Sequence, residues 1–456
     1  MILNKFKTLF WLLIGLLLVW QAEAQTGENS LTRRYSLAEC VQFAIANHKN
    51  NINARVDEFI AEEKVKEYLS QGYPQVNGSI DVRYNAILPT QIIPAEALGG
   101  PKGQLLAAQF GTNWNSTVGF NGQQLLFDGT FFVGLQAAKE YVNLTKKSKQ
   151  RTEVETATQV TKAYYSVLIN EQRLNLLKNA INQLDALYKN TKALFDNGFA
   201  EQLDLDRISV NLNNTRTELD KAQKLVDLSR ILLKFQMGMN VNENLVLTDQ
   251  INTNDLTNVF SDTLAVPSPE SRIEYAVLTK SIQLNEMNVK RLRVGYYPSV
   301  YLYGSLQTQA QRMDFDLFDT QKRWYPISVV GLEIRMGIFD GFRRKAQVQQ
   351  ARLEREKIEN ELKDFRNVVN LEYMDARTRL VNGLKNLEIQ KRNLDLAQKV
   401  YQHTGVKYKE GIGTNIEVIN ADIEFKNAQN NYINALMESY LARVDLQKAL
   451  GTLYRP

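Results

Sequence analysis

Phe127-Asp128-Gly129 recurs as Phe339-Asp340-Gly341, Asn197-Gly198 as Glu410-Gly411, and Met237-Gly238 as Leu450-Gly451. The offsets are 212, 213 and 213 residues. Three landmarks held in register over more than a hundred residues mean two copies of one structural unit. A fourth, Tyr73-Pro74-Gln75-Val76, returns as Tyr297-Pro298-Ser299-Val300 at an offset of 224. The segment that follows it is therefore longer in the first copy, and the extra length reads as loop.

The prolines set the scale of the elements. Residues 102–266 and 327–455 contain none, and a helix interior excludes proline because the ring removes a hydrogen bond and clashes with the preceding turn. Within the first stretch, Leu174, Leu177, Ile181, Leu184, Tyr188, Thr191 and Phe195 step by threes and fours, the spacing of a coiled-coil seam. Helix is expected from about 131 to 196 and from about 342 to 409, each roughly 100 Å at about 1.5 Å per residue. Gly383 and Gly405 are the weak interior points of the second. Each long helix should end at a left-handed glycine, Gly198 or Gly411, and a second helix should return over about 202–237 and 415–450. A shorter helix precedes each hairpin's strands. The first opens with a Ser36-x-x-Glu39 capping box and runs to about Gln71, and the second runs from about Pro269 to Val294.

Between the leading helix and the hairpin the period changes to two. Val76, Ile80, Val82 and Tyr84 alternate with Asn77, Ser79, Asp81 and Arg83, and Trp114, Val118 and Phe120 with Asn115, Thr117 and Asn121. The second copy repeats this, with Val330, Leu332 and Ile334 opposed by Glu333 and Arg335. The expected strands are about 75–90, 112–127, 299–308 and 326–339, each with one dry and one wet face. Tyr73, Trp114, Tyr297, Trp324 and Tyr325 fall near strand ends, as an aromatic girdle requires.

Lys5 and Lys7 precede an apolar run from Leu9 to Val19, and Ala22-Glu23-Ala24 supplies a signal-peptidase site, so residues 1–24 read as a signal peptide. The apolar run is short for a membrane span, and no cysteine at the cleavage site offers a lipid anchor. A secreted chain without a transmembrane helix spans a membrane only as a closed barrel. Four strands cannot close one, since about eight are needed, so the barrel must be shared among chains. The net charge of +5 falls to +4 without the leader, and its Lys and Arg are interleaved with Asp and Glu; no nucleic-acid partner is expected. Cys40 reads as a small buried hydrophobe. His48 and His403 lack metal-ligand spacing, and Gly99-Gly100-Pro101-Lys102-Gly103 precedes no matching helix and reads as a surface loop. Neither an enzyme nor a cofactor or metal site is expected.

The order helix, strand, strand, long helix, returning helix, given twice, resembles the TolC-like outer-membrane efflux proteins. The local match is Tyr408-Lys409-Glu410-Gly411-Ile412-Gly413-Thr414-Asn415-Ile416-Glu417-Val418, followed by Asn420-Ala421 and Ala449-Leu450-Gly451-Thr452-Leu453. The resemblance implies a mainly α fold with a membrane β-barrel portion: a homotrimer whose twelve strands close a barrel continued by an α-helical tunnel. It divides the chain into a first repeat (25–240), a linker (241–268) packed around the tunnel's middle, and a second repeat (269–456), with hairpins at about 131–238 and 342–451. It implies extracellular loops at 89–111 and about 308–325. It also implies the outer membrane of a Gram-negative-type bacterium, reaching into the periplasm, and outer-membrane lipid around the barrel.

The function so implied is the passive exit duct of a tripartite efflux or type I secretion system. Its partners are a periplasmic adaptor and an inner-membrane pump. A periplasmic coiled-coil adaptor or scaffold without a pore is the alternative, disfavoured because such proteins usually carry one hairpin. By the same likeness the adaptor contacts are Asn197, Gly198, Phe199 and Ala200 in one turn and Glu410, Gly411, Ile412, Gly413 and Thr414 in the other. The periplasmic aperture falls to Asp204, Asp206, Glu417, Asn420 and Tyr408. Asp204 and Glu417 lie six residues past their glycines; the plain reading is that an acid there only complements a helix start, by roughly 0.3–1 kcal/mol. Asn420 stands where relatives often have a second acid, and Gly413 where they often have an arginine. Tyr408 stands for an interhelical latch, against the plain reading of a core tyrosine.

Overall fold

The computed structural model describes residues 34–252, 256 and 266–455; the expected signal peptide lies outside them. The elements in chain order are β1 (Arg34–Tyr35), α1 (Leu37–Asn47), α2 (Lys49–Ser70), β2 (Gln75–Tyr84), β3 (Thr90–Pro94), β4 (Leu105–Gln109), β5 (Trp114–Phe127), α3 (Gly129–Asp196), α4 (Gln202–Met237), β6 (Val246–Leu247), α5 (Ile273–Val294), β7 (Ser299–Arg312), β8 (Tyr325–Arg335), α6 (Arg343–Lys409) and α7 (Asn415–Leu450). The described residues form two compact units, one of residues 50–155, 266–376 and 446–455, the other of 34–49, 156–252, 256 and 377–445.

The first of these carries one antiparallel sheet in the order β2-β5-β7-β8. The central pairing, β5 with β7, joins the two copies, with Phe120 opposite Leu306 and Asn121 opposite Ser305. Because cross-strand partners share a face, the register gathers Val76, Ile80, Val82, Phe120, Leu306 and Val330 on one side and Asn77, Ser79, Asn121, Ser305 and Gln307 on the other. A β-bulge between Leu125 and Phe127 ends the regular pairing of β5. Next comes Asp128, whose Oδ1 accepts from the Thr130 amide at 2.6 Å and caps the start of α3. At the second junction Gly341 and Phe342 both take left-handed backbone, φ 64° and 65°, and α6 starts at Arg343. The flanking helices are joined by ion pairs from Lys149 to Glu58 (2.9 Å) and from Lys280 to Glu140 (2.7 Å), and by a cluster of Val289, Val348 and Ala351.

In the other unit the seam from Leu174 to Thr191 packs inward. Leu184 and Thr191 are fully buried, whereas Phe195, near the turn, is exposed. A second core gathers Tyr35, Cys40, Ala44, Val160, Tyr164, Leu233 and Met237. Burial, with Asp249 and Glu39 nearby, pushes the Cys40 thiol up to about 12, so it stays a protonated, hydrophobic side chain. The stretch read as a linker is partly built in. β6 pairs in parallel with β1, the Tyr440 hydroxyl donates to the Asn252 carbonyl at 2.9 Å, and Leu256 is buried with Ile169 and Leu436.

Two features depart from the sequence reading. The leading helix is interrupted at His48, which takes extended backbone (φ −67°, ψ 132°). Arg272 does the same in the second copy (φ −82°, ψ 134°), between a short 3-10 turn, Pro269–Ser271, and α5. The positions correspond, and so does the contact made there. A Cβ on Gly238 would lie 2.7 Å from the Asn47 carbonyl oxygen and His48 Cα, and one on Gly451 would lie 3.0 Å from the Ser271 carbonyl oxygen. The returning helix of each copy thus ends against the break in its own leading helix. Burial, with Lys49 beside it, lowers the His48 pKa; buried Arg272 is held by Glu274 and Glu372, both at 2.9 Å.

The second departure is the extra length of the first copy. It is not plain loop, because β3 and β4 pair as a hairpin around a 3-10 turn (Ala95–Leu98) and the left-handed Gly99 and Gly103. In the second copy β7 runs on to Arg312, shortening the loop expected from 308, and β8 stops at Arg335.

The glycines give a graded test. Gly411 has φ 73° and open space where a Cβ would go, while Gly238 has φ 71° and backbone atoms there. Gly411→Ala should cost only left-handed strain, about 1–2 kcal/mol. Gly238→Ala adds a backbone clash and should lower the unfolding midpoint of the purified protein distinctly further.

Candidate functional site

Both long helices end in the same double hydrogen bond. The Gly198 amide donates to the Phe195 carbonyl (2.9 Å) and the Phe199 amide to Leu194 (2.8 Å). In the other turn Gly411 donates to Tyr408 (3.1 Å) and Ile412 to Lys407 (3.0 Å). This is the Schellman arrangement, which needs the left-handed glycine. It leaves the following apolar residue outside, Phe199 at 81% and Ile412 at 77% exposure. Leu203 and Ile416, one turn further on, are exposed as well; the sequence reading passed over them, although an apolar residue in the first turn of both returning helices is legible. Asn197 Nδ2 donates to the Ala193 carbonyl at 2.7 Å. Ala200 is half-buried, and Glu410 and Thr414 are exposed. A Cβ on Gly413 would sit 3.1 Å from Lys407 Cβ, so this turn is tightly folded.

The returning helices α4 and α7 run side by side in parallel, and their contacts follow one register. Asn415 Nδ2 donates to Asp204 Oδ1 at 2.9 Å and to its carbonyl oxygen at 3.0 Å. Asn211 Nδ2 donates to Asp422 Oδ2 at 2.8 Å, and Lys426 Nζ to Asn211 Oδ1 at 2.9 Å and Thr215 Oγ1 at 2.6 Å. The pairs Asp204–Asn415, Asn211–Asp422 and Thr215–Lys426 are each 211 residues apart, whereas the two copies are offset by 213 in this region. The helices are therefore staggered by two residues, about 3 Å. That stagger separates the two acids that the sequence pairs: Asp204 carries the Asn415 amide, with Arg207 4.0 Å away, whereas its counterpart Glu417 is exposed. Asp206 accepts from Gln202 at 2.9 Å. With Asn420, Leu203 and Ile416 it lines a groove of about 640 Å³ between α4 and α7.

Sequence reasoning missed the Asn211, Thr215, Asp422 and Lys426 cluster. Asp422 is 1% exposed and pairs with Lys426 at 2.8 Å. The available signal was spacing, since 204, 211, 215 and 415, 422, 426 step by seven and four, the positions of a helix-helix seam. Tyr408 is buried among Leu184, Leu187, Ile208 and Val418, and its hydroxyl lies 3.2 Å from Thr191 Oγ1, tying α6 to α3. It is a core tyrosine and an interhelical link at once. Beside the cluster, Tyr401 stacks on Phe425, and burial with nearby Asp422 pushes its phenol up to about 12.

The profile described as outer membrane efflux protein matches residues 41–239 and 276–452. The chain belongs to the outer membrane efflux protein family. Among relatives, the toluene efflux pump outer membrane protein TtgC of Pseudomonas putida is 19% identical over 343 residues, 75% of this chain and 69% of that protein. The probable outer membrane lipoprotein SilC of Salmonella typhimurium is 20% identical over 413 residues, covering 87% and 81%. Among solved structures, CusC, described in connection with transmembrane channel formation, superposes with a TM-score of 0.71 at 16% identity, over 91% of each chain. The efflux-protein fold thus spans both copies of the unit.

In this efflux protein the buried Asp422–Lys426 pair lies within α7 and holds the α4 register through its hydrogen bonds to Asn211 and Thr215. Lys426→Met would leave Asp422 buried without its counter-charge and should destabilise the protein by about 3–5 kcal/mol. Lys426→Met with Asp422→Leu should recover most of that loss in thermal unfolding, and equal losses in the single and double variants would refute the pairing.

Proposed function

We propose that this outer membrane efflux protein works as a homotrimeric, passive exit duct of a tripartite efflux or type I secretion system. The observation that carries this reading is the sheet. Its strands are 10, 14, 14 and 11 residues long, enough to cross an outer membrane when tilted. One face exposes Ile80 and Val330 at 77% and 78% together with Phe120 and Leu306, and β2 and β8 end the sheet with unpaired edges. An apolar face belongs in lipid, and an open edge in lipid must find a partner. Joining β8 of one copy to β2 of the next supplies that partner, and three copies give twelve strands. The Asn77, Asn121 and Gln307 face then lines the pore. The α-helical tunnel continues the barrel into the periplasm, the inner-membrane pump provides the energy, and the two helical turns meet the adaptor.

The carboxylates at the turns set charge preference in this reading. Glu417 and Asp206 are exposed, so Glu417→Gln with Asp206→Asn should lower the cation-to-anion permeability ratio of the purified protein in planar bilayers. Asp204→Asn should change it less, because that carboxylate is already engaged by Asn415. Loss of all conductance in the wild-type chain would refute the duct.

At the turns, Phe199 and Ile412 offer apolar surface that an adaptor can cover. Phe199→Ser with Ile412→Ser should reduce adaptor crosslinking at least tenfold while leaving the conductance of the isolated protein unchanged. Undiminished crosslinking would remove the turns from the adaptor interface.

A further inference from the structure

Near the barrel's periplasmic edge a cavity of about 390 Å³ opens between α2, α3 and α5. On α3 its floor is Gly134, Ala137 and Ala138, small residues on one helical face. A Cβ on Gly134 would meet the Tyr68 hydroxyl at 2.0 Å, so a larger residue there would displace the Tyr68 ring. The walls carry Lys64, Glu67 and Arg291. Lys64 Nζ lies 5.4 Å from the centre of the Tyr141 ring, and Arg291 Nη2 donates to Asn288 at 3.1 Å. None of the three charged groups has an ion-pair partner among the described residues. The cavity therefore offers two cations and one carboxylate, unspent on each other, around an apolar floor and two aromatic rings.

An aromatic track leads from this cavity to the sheet. Tyr68 stacks on Phe131 (6.0 Å, 11°), Phe131 meets Phe132 at 5.5 Å, and Phe132 meets Phe127, the last residue of β5, at 6.1 Å. Phe127 and Phe132 are both exposed, a costly arrangement against water and a favourable one against acyl chains. Gly134 is five residues into α3, about 8 Å past the helix start, and a bilayer's headgroup layer extends roughly 5–8 Å beyond its hydrocarbon core.

We infer that the cavity binds the zwitterionic headgroup of a phosphatidylethanolamine molecule from the periplasmic leaflet of the outer membrane. The phosphate lies between Lys64 and Arg291, the ammonium faces Glu67 and the tyrosine rings, and the acyl chains run along Phe131, Phe132 and Phe127. The inference rests on the proposal that the sheet spans the outer membrane.

The test is native mass spectrometry of the delipidated full-length protein, titrated with phosphatidylethanolamine, phosphatidylglycerol or water-soluble glycerophosphoethanolamine. One phosphatidylethanolamine per chain should be retained. Lys64→Gln with Arg291→Gln should weaken retention at least tenfold, and Glu67→Gln should abolish the preference over phosphatidylglycerol. Ala137→Leu, which fills the floor and leaves every charge in place, should also weaken it. Equal retention by the wild type and these variants would overturn the site, and equally tight binding of glycerophosphoethanolamine would overturn the lipid as its source. Conductance of the same variants separates the two readings. A conducting protein that retains no lipid sinks only this inference, whereas a wild-type chain that does not conduct sinks the duct.

Discussion

A four-stranded sheet with one apolar face and two open edges cannot stand alone in water or in lipid. In water the face of Ile80, Phe120, Leu306 and Val330 forfeits about 25 cal/mol for each Å² left exposed. In lipid the free backbone groups of β2 and β8 would each cost several kcal/mol. The proposed closure with other copies of the same sheet would relieve both. It would also dictate much of the rest, because strands that pair around a ring deliver their following helices to neighbouring positions on that ring. The helices then need no membrane-spanning character of their own, and among the described residues none is long and apolar enough to cross a membrane.

Duplication solves this construction problem with one unit used twice, and its joints show it. Each copy ends two helices in the same left-handed glycine motif, at Gly198 and Gly238 and at Gly411 and Gly451. The inner glycine of each pair only has to turn the chain. The terminal glycine also presses on the break in its copy's leading helix, at His48 or Arg272. The contact is conserved between the copies while its surroundings are not. A buried neutral-leaning imidazole serves in one, and an arginine held by two carboxylates in the other. What the two share is backbone against backbone, which a glycine permits and any side chain obstructs.

This explains which parts of the fold were legible in the sequence. The four hairpin helices were, because they depend on the absence of proline, on an i, i+3, i+4 seam and on glycine stops, all properties of a residue and its near neighbours. The four strands were, since alternation is local too. The break at His48 was not: nothing in Asn47-His48-Lys49 marks it, and the contact made there is with Gly238, nearly two hundred residues away. Nor was the β3–β4 hairpin, whose strands are only five residues each and sit among three prolines that read as loop. Of the candidate site, the exposed turns followed directly from the glycines. The fate of the acids did not, because it depends on a stagger between two helices that no periodicity within either one records.

That stagger also accounts for the polar groups buried between α4 and α7. Two parallel helices with apolar seams can pack in several registers differing by a heptad, since each offers equivalent knobs and holes. Hydrogen-bonding groups remove this freedom, because sliding by seven residues would set Asp422 against Asp204 or Glu218 and Lys426 against Ile208 or Ala222, leaving buried charge without its hydrogen-bond partners. A shift of only two residues, to the register in which Asp204 and Glu417 stand level, would likewise bring two carboxylates together in place of carboxylate and amide. The internal symmetry written into the sequence is therefore broken at the turns by electrostatics. One copy's acid, Asp204, is engaged in holding the hairpins together, and the other's, Glu417, is left exposed.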